Sequence, residues 1–283
     1  MKKIAIIGYG FVGKAVDFGF SKNVIKTIID PKLRTSTKDI TQDFDFIFIA
    51  LPTPMNPDGT QNTEILFDVL MELDSINKNF IKIIKSTVLP STLKEIEIKF
   101  QNIVYNPEFL KERSAEEDFV NSEGIVLGGK KEILSKVKEL YKKCSVVKKI
   151  NFYETDLISA SFVKYSINSF LALKVAFFNQ LYDLISPNNH EDWTNMIKII
   201  SHDSRIGNSH LQVPGLDGKR GFGGACFPKD TAALIRYSQE LGVDFSILES
   251  AIKYNNKIRT SYKNKDDREK EQGVNYDFLK DTN

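Results

Sequence analysis

Ile4-Ala5-Ile6-Ile7-Gly8-Tyr9-Gly10-Phe11-Val12-Gly13 decides the fold. An apolar run of four residues is too short for a signal-peptide core, so it reads as a strand. The stretch Val12–Phe20 carries helical spacing. G-x-G-x-x-G between a strand and a helix fits the dinucleotide fingerprint. Gly8 makes the tight turn, Gly10 lets backbone approach a pyrophosphate, and Gly13 packs the helix closely on the strand. Phe11 and Val12 then open a helix whose free N–H groups and positive dipole end face the phosphates. Asp30 closes the next apolar run, Val24–Ile29, where an acid accepts from both ribose hydroxyls and disfavours a 2′-phosphate. That predicts NAD rather than NADP. The glycines alone also fit an ordinary turn; strand, helix and Asp30 together favour the ligand.

Outward from this motif, short apolar runs alternate with amphipathic stretches. Strands are expected at Ile4–Ile7, Val24–Ile29, Asp45–Leu51, Ile81–Lys85, Ile103–Tyr105 and Gly124–Leu127. Helices are expected at Val12–Phe20, Thr63–Ile76, Thr92–Phe100 and Ile133–Lys143. Fully apolar strands alternating with helices predict an α/β fold, a Rossmann-type parallel sheet covered on both faces. After Ile150 the pattern becomes helical. One long helix runs from about Thr155 to Ile185, apolar on most sides and stopped by Pro187. Such a helix is buried in a core or against a partner chain. Helices at Glu191–Ser201, Lys229–Leu241 and Phe245–Tyr262 follow, with a Gly-rich loop, Gly215–Gly224, between the first two. The expected domains are 1–152, a nucleotide-binding sheet domain, and 153–262, a mainly helical domain. Residues 263–283 are polar with mixed charges and read as a loosely ordered tail.

Composition narrows the partners. The 283 residues carry 39 basic and 37 acidic side chains, a net charge of +2, which leaves no electrostatic footprint for nucleic acid. The most apolar stretch, Phe170–Phe178, is interrupted by Lys174 and falls well short of the about 20 residues of a membrane span. Two cysteines make no disulfide framework, so a reducing, cytoplasmic setting is expected. No metal-ligand spacing is present, and no metal is expected.

Cys144 lies in an ordinary helical stretch and reads as a small buried hydrophobe. Cys226 differs. It sits in Gly221-Phe222-Gly223-Gly224-Ala225-Cys226-Phe227-Pro228-Lys229-Asp230, just before a helix whose first turn carries Lys229 and Asp230. Dipole and cation both favour the thiolate, and the glycines allow a ligand to approach. Lys164 and Asn168 stand at i and i+4 on one face of the long apolar helix, where the lysine must snorkel, pair or meet a ligand. Lys174 and Asn179 pose the same question in a weaker context and read as structural. Tyr105-Asn106-Pro107-Glu108-Phe109-Leu110-Lys111-Glu112, Pro52-Thr53-Pro54 and Ser86-Thr87 each follow a strand, at the carboxyl edge where such sheets bind ligands.

These motifs together resemble the UDP-glucose/GDP-mannose dehydrogenase family, from Met1 to about Tyr262. Gly221–Asp230 is the most specific piece, followed by Asn106–Leu110 and Asp203-Ser204-Arg205-Ile206-Gly207. The resemblance implies NAD-dependent oxidation of a nucleotide sugar's primary alcohol to a carboxylate, with UDP-glucose to UDP-glucuronate as the leading case, in the supply of polysaccharide biosynthesis. It implies a homodimer through the long central helix. It implies that Cys226 forms a thiohemiacetal and then a thioester, that Lys164 and Asn168 hold the oxyanion, and that Asp230 belongs to the acid–base set. Glu108 would activate water, and Thr87 would act near the nicotinamide. Thr53, Glu112 and Lys229 are implied as cofactor contacts. Phe109, Leu110, Lys111, Phe222, Gly223 and Gly224 are implied as substrate contacts, with Glu108, Lys164 and Asn168 among them. Arg205 would reach the substrate of the neighbouring subunit. Arg113 stands where a small residue is usual, and Ala225 where serine is. The family's third domain, which grips the substrate's nucleotide, has no counterpart in these residues, so a weakened KM or a partner chain supplying that domain is expected. Between Asp30 and Asp45 the chain is short, predicting a lost helix. Two other readings remain: a two-electron hydroxyacid dehydrogenase that needs no cysteine, and a non-catalytic NAD-binding remnant or partner subunit.

Overall fold

The computed structural model describes residues 1–185 and 192–279. The chain divides into two compact units: unit 1 is Met1–Thr53 with Thr63–Lys164, and unit 2 is Pro54–Asn62 with Tyr165–Asn283. The division falls inside the long helix, later than the 152/153 boundary expected from sequence, and a nine-residue excursion, Pro54–Asn62, joins unit 2.

Unit 1 is a seven-stranded sheet with helices on both faces. Its strands are β1 (Lys2–Ile7), β2 (Val24–Ile29), β3 (Phe46–Ile49), β4 (Ile81–Ile84), β5 (Ile103–Tyr105), β6 (Ile125–Gly129) and β7 (Phe152–Thr155), in the order β2-β1-β3-β4-β5-β6-β7. Period-two alternation sorts the strand residues between two cores. Ile4, Ile6, Phe46 and Phe48 face α1 (Phe11–Gly19), α4 (Ala115–Val120) and α5 (Lys131–Cys144). Ala5, Ile7, Ile47 and Ile49 face α2 (Glu64–Ile76), α3 (Pro90–Lys99) and the first two turns of α6 (Leu157–Ile185). Lys82 is the exception among the strand interiors. It is fully buried and pairs with Asp74 at 2.6 Å while donating to two carbonyls.

The sheet is not wholly parallel as expected. β6 runs antiparallel to β5, and β7 pairs parallel to β6. β5 and β6 are joined by a 3-10 turn and the six-residue α4, so the chain re-enters the sheet without a full crossover that would return it to the same end. Between β2 and β3 only two 3-10 turns, Pro31–Leu33 and Thr37–Asp39, replace a crossover helix, as the short segment predicted.

Unit 2 is helical. It contains α6 from Tyr165 onward, α7 (Trp193–Ser201), α8 (Phe227–Glu240), α9 (Ser246–Arg259) and α10 (Asp267–Glu271). Pro187 and Glu191 lie outside the described residues. Residues 263–279 do not form the loose tail that their polarity suggests. Asp266 and Glu269 close a reciprocal capping box at the start of α10, and Glu269, Gln272, Val274 and Tyr276 are buried. Polar side chains can be buried when they find hydrogen-bond partners, as Glu269 and Tyr276 do with one another at 2.7 Å. No helix among the described residues is long and apolar enough to cross a membrane.

Candidate active site

The carboxyl ends of β1, β3, β4 and β5 form one rim of unit 1. Backbone bonds from Ala50 to Ile7, Lys85 to Ile49 and Asn106 to Ile84 tie them edge to edge. β1 has β2 on one side and β3 on the other, so the chain reverses direction of travel at this rim, the place where open α/β sheets hold ligands.

The glycines fit the roles read from sequence. Gly8 has φ +87°, and a Cβ there would lie 2.4 Å from Ala50 O; one on Gly13 would lie 1.9 Å from Gly8 O. Nothing stands within 4 Å of a Cβ on Gly10, which leaves the approach to the turn open. Asp30 follows β2 beside this turn. Its Oδ2 accepts from Tyr9 N–H at 2.7 Å and its Oδ1 from Lys32 N–H at 2.8 Å. A carboxylate oxygen has more than one lone pair, so Asp30 retains acceptor capacity for ribose hydroxyls. The residues present fit a dinucleotide.

Further along the rim, Thr53 is buried and donates to Thr87 O at 2.9 Å, and Ser86 donates to Leu51 O at 2.8 Å. Glu108 is 7% exposed. Its Oε2 accepts from Leu110 N–H at 2.7 Å, and its Oε1 lies 3.2 Å from Lys164 Nζ, which also donates to Glu108 O at 2.5 Å. The same ammonium stands 5.2 Å over the Phe109 ring. Lys164 therefore pairs; it does not snorkel. Lys111 N–H donates to Asp118, and Glu112 lies exposed at the start of a 3-10 turn.

Sequence reasoning missed Lys85. It counts as the last residue of an apolar strand, yet its Nζ is buried and donates to Asn106 Oδ1 at 3.1 Å, an oxygen that also accepts from Tyr141 O–H at 2.6 Å. Burial pulls its pKa down to about 8, with Glu108 opposing and Lys164 adding to the shift. A lysine at the end of a strand, on the ligand edge, is the signal that could have found it.

In unit 2, Cys226 occupies the N-cap position of α8 and is half-buried, whereas Cys144 is 2% exposed and burial raises its pKa. Pro228 at the start of α8 suits a first turn that needs no N–H there. Asp230, 1% exposed, accepts from Asn168 Nδ2 at 2.7 Å and from Lys229 Nζ at 2.6 Å. Lys229 and Asn168 thus converge on one carboxylate, four residues from the thiol. Gly221 and Gly224 adopt positive φ, +73° and +75°. The bare faces of Gly221 and Gly223 are occupied from within by Asn255 and Arg259, a use of glycine not visible in sequence. Arg205 points into solvent with its guanidinium on Asp203. Among the described residues no cluster of three or more His, Cys, Asp or Glu is placed to hold a metal.

A dinucleotide-type sheet unit with a glycine turn and an acid after β2, followed by a helical unit with a cysteine at a helix N-cap, defines a nucleotide-binding architecture of the Rossmann class. Residues 19–145 match the NAD binding domain, and residues 158–257 the central domain, of the UDP-glucose/GDP-mannose dehydrogenase family. The chain belongs to that family, and NAD is the cofactor of its N-terminal unit. It is 36% identical over 224 residues to a UDP-glucose 6-dehydrogenase of Rickettsia conorii, covering 76% of this chain and 49% of that protein. It is 32% identical to one of Campylobacter jejuni, covering 82% and 67%. A solved UDP-glucose dehydrogenase from Pyrobaculum islandicum superposes with a TM-score of 0.77 at 26% identity, covering 90% of this chain and 68% of that one. The chain spans about half the length of the Rickettsia relative.

Proposed function

We propose that this chain oxidises the primary alcohol of a nucleotide sugar to a carboxylate, with UDP-glucose to UDP-glucuronate as the leading case. The observation that carries the reading is Cys226 at the N-cap of α8, with buried Asp230 in the same first turn held by Asn168 and Lys229. NAD would be held at Gly8, Gly10, Gly13 and Asp30 and would supply the hydride acceptor, twice per turnover. The alcohol loses its O–H proton to water and a C–H hydride to the bound nicotinamide, and so becomes an aldehyde. The Cys226 thiolate then adds to that aldehyde, forming a C–S bond, and Lys164 and Asn168 donate to the oxyanion as it develops. Glu108, beside Lys164 at 3.2 Å, holds that lysine in place for the purpose. Oxidation of the thiohemiacetal leaves a thioester on Cys226. Glu108 takes a proton from the attacking water, the C–S bond breaks, and the carboxylate leaves with the thiol restored. Thr87, Thr53 and Glu112 are read as cofactor contacts, and Phe109–Lys111 and Phe222–Gly224 as substrate contacts.

The name of the Rickettsia relative supports UDP-glucose as the first substrate to try. A reducing, cytoplasmic setting belongs to the same reading, since a disulfide would block the nucleophile. A homodimer through α6 belongs to it too. Val163, Phe170, Phe177 and Leu184 recur every seven residues, and each is exposed, Leu184 by 71%. Such spacing lines one face of a helix and suits a partner helix.

The test is the yield of NADH per sugar nucleotide. The expected yield is two per UDP-glucose, falling to one or to none in Cys226→Ser. A yield of one, unchanged in the variant, sinks the thioester route. Sedimentation of Phe170→Glu and Phe177→Glu, which should give monomers, tests the dimer.

A further inference from the structure

The loop that carries Cys226 is held by four buried side chains. Asn179 Oδ1 accepts from Gly221 N–H at 3.0 Å. Asn255 accepts from Phe222 N–H at 2.6 Å and donates back to Phe222 O at 3.0 Å. Arg259, anchored on Asp217 at 2.7 Å, lies flat under Gly223, where a Cβ would meet its Nη2 at 2.0 Å. Glu269 Oε1 accepts from Gly224 N–H at 3.1 Å and from Tyr276 O–H at 2.7 Å. Consecutive peptide units of Gly221–Gly224 are thereby fixed from behind, immediately before the thiol.

Glu269 stands apart from the other three. Asn179, Asn255 and Arg259 belong to the long helices α6 and α9, whereas Glu269 lies on the five-residue α10, 45 positions beyond Gly224. It is 2% exposed, and both of its oxygens are engaged, since Oε2 accepts from Asp266 N–H at 3.0 Å. Burial alone would push its carboxyl up. The Tyr276 hydroxyl, the Asp266 and Gly224 amides and the Arg259 charge outweigh that, and the group stays below its ordinary value. A buried carboxylate whose hydrogen bonds are all made is costly to unpair, so Glu269 is held in one geometry. One oxygen caps α10; the other reaches the loop. The capping box therefore orients Glu269 toward the loop, and Tyr276 completes the grip from the far side of the turn at Gly273, whose φ is +63°.

We propose that segment 265–276 is a brace for the cysteine loop, with Glu269 as a positioning residue that keeps Cys226 at the N-cap of α8. The proposal rests on the reading of Cys226 as nucleophile for its purpose, but not for its test. With Gly224 held, the thiol stays at the N-terminus of α8; with Gly224 released, the loop relaxes and the thiol leaves that position.

The experiment is alkylation of the full chain by iodoacetamide, followed at the Cys226 peptide by mass spectrometry between about pH 6 and about pH 10. Cys144 is 2% exposed and serves as an internal control for unfolding. Glu269→Ala should move the pH midpoint of Cys226 alkylation upward and slow the reaction at neutral pH by about threefold or more, while NADH binding is unchanged. Glu269→Gln keeps an acceptor for Gly224 and should restore most of the wild-type rate. A Glu269→Ala protein that leaves Cys144 protected and shows the wild-type midpoint overturns the brace. Should Glu269→Ala not fold, Tyr276→Phe carries the decision. A midpoint shifted the same way supports the brace, and one identical to wild type overturns it. An NADH yield that proves insensitive to Cys226→Ser would refute the thioester route and leave this alkylation result standing, so the two failures are separable.

Discussion

Replacing Lys85 by methionine probes what it costs unit 1 to keep an ammonium under the carboxyl rim of its sheet. In the fold this lysine has its pKa lowered from 10.5 to about 8, chiefly by burial. Each unit is worth about 1.4 kcal/mol, so holding the charge at pH 7 costs about 3 kcal/mol. Methionine fills nearly the same volume and removes that cost. It also removes the hydrogen bond to Asn106, worth about 1 kcal/mol, although Asn106 Oδ1 keeps Tyr141 O–H at 2.6 Å. The variant should therefore be more stable than wild type by about 2 kcal/mol at pH 7. The sign with pH follows from proton counting. Below about pH 8 the lysine is charged in both states and its full cost is present. Between about 8 and 10.5 the unfolded chain binds more protons than the folded one, so wild-type stability rises and the advantage of methionine shrinks. Urea unfolding at about pH 7 and about pH 10 measures both ends. A variant less stable than wild type at pH 7, or an advantage equal at both pH values, would refute the reasoning.

Three further outcomes are expected. Gly13→Ala drives a Cβ to 1.9 Å from Gly8 O, so it should cost about 1–3 kcal/mol in unfolding and weaken NADH binding in a fluorescence titration. Asp230→Ala leaves the buried Lys229 ammonium without its carboxylate and should destabilise by about 3 kcal/mol, read by chemical denaturation. Asp30→Ser removes like-charge repulsion against a 2′-phosphate of roughly 1.4 kcal/mol, so the preference for NAD over NADP should fall about tenfold in parallel binding titrations.

The nucleotide half of the molecule was legible because its chemistry is local. Gly8, Gly13 and Asp30 act within one strand-turn-helix and the next strand, and their spacing carries the constraint. β1 through β5 were legible because each is a short, mostly apolar run between helical patterns or turns. β7 was not: Phe152-Tyr153-Glu154-Thr155 is an edge strand, with Tyr153 61% exposed, and gives no apolar run to read. The direction of β6 was hidden for a different reason, since strand sense is set by the length and path of a connection and not by the strand's own residues. At the site, the i, i+4 spacing of Lys164 and Asn168 was visible, but their partners, Glu108 and Asp230, lie 56 and 62 positions away. The segment after Lys263 was misjudged because burial was inferred from apolarity. Asp266-x-x-Glu269 is a capping-box pattern, and it was the available sign that a helix starts there.

The excursion Pro54–Asn62 bears on how the chain is made. Its partners within unit 2 come from the far end of the sequence: Met55 N–H bonds Gln272 O, Asp58 O accepts from Arg236, Pro57 O accepts from Asn275, and Gly59 packs against the Phe278 ring. A ribosome adds about 5–20 residues per second, so after Met55 emerges its bonding partner follows on the order of 10–40 s later. Through that interval β3 and α2 can already form on either side, while the bonds of this peptide to the end of the chain are still unmade. A nascent chain stalled before residue 236 would leave Asp58 O and Pro57 O without their donors in the finished fold.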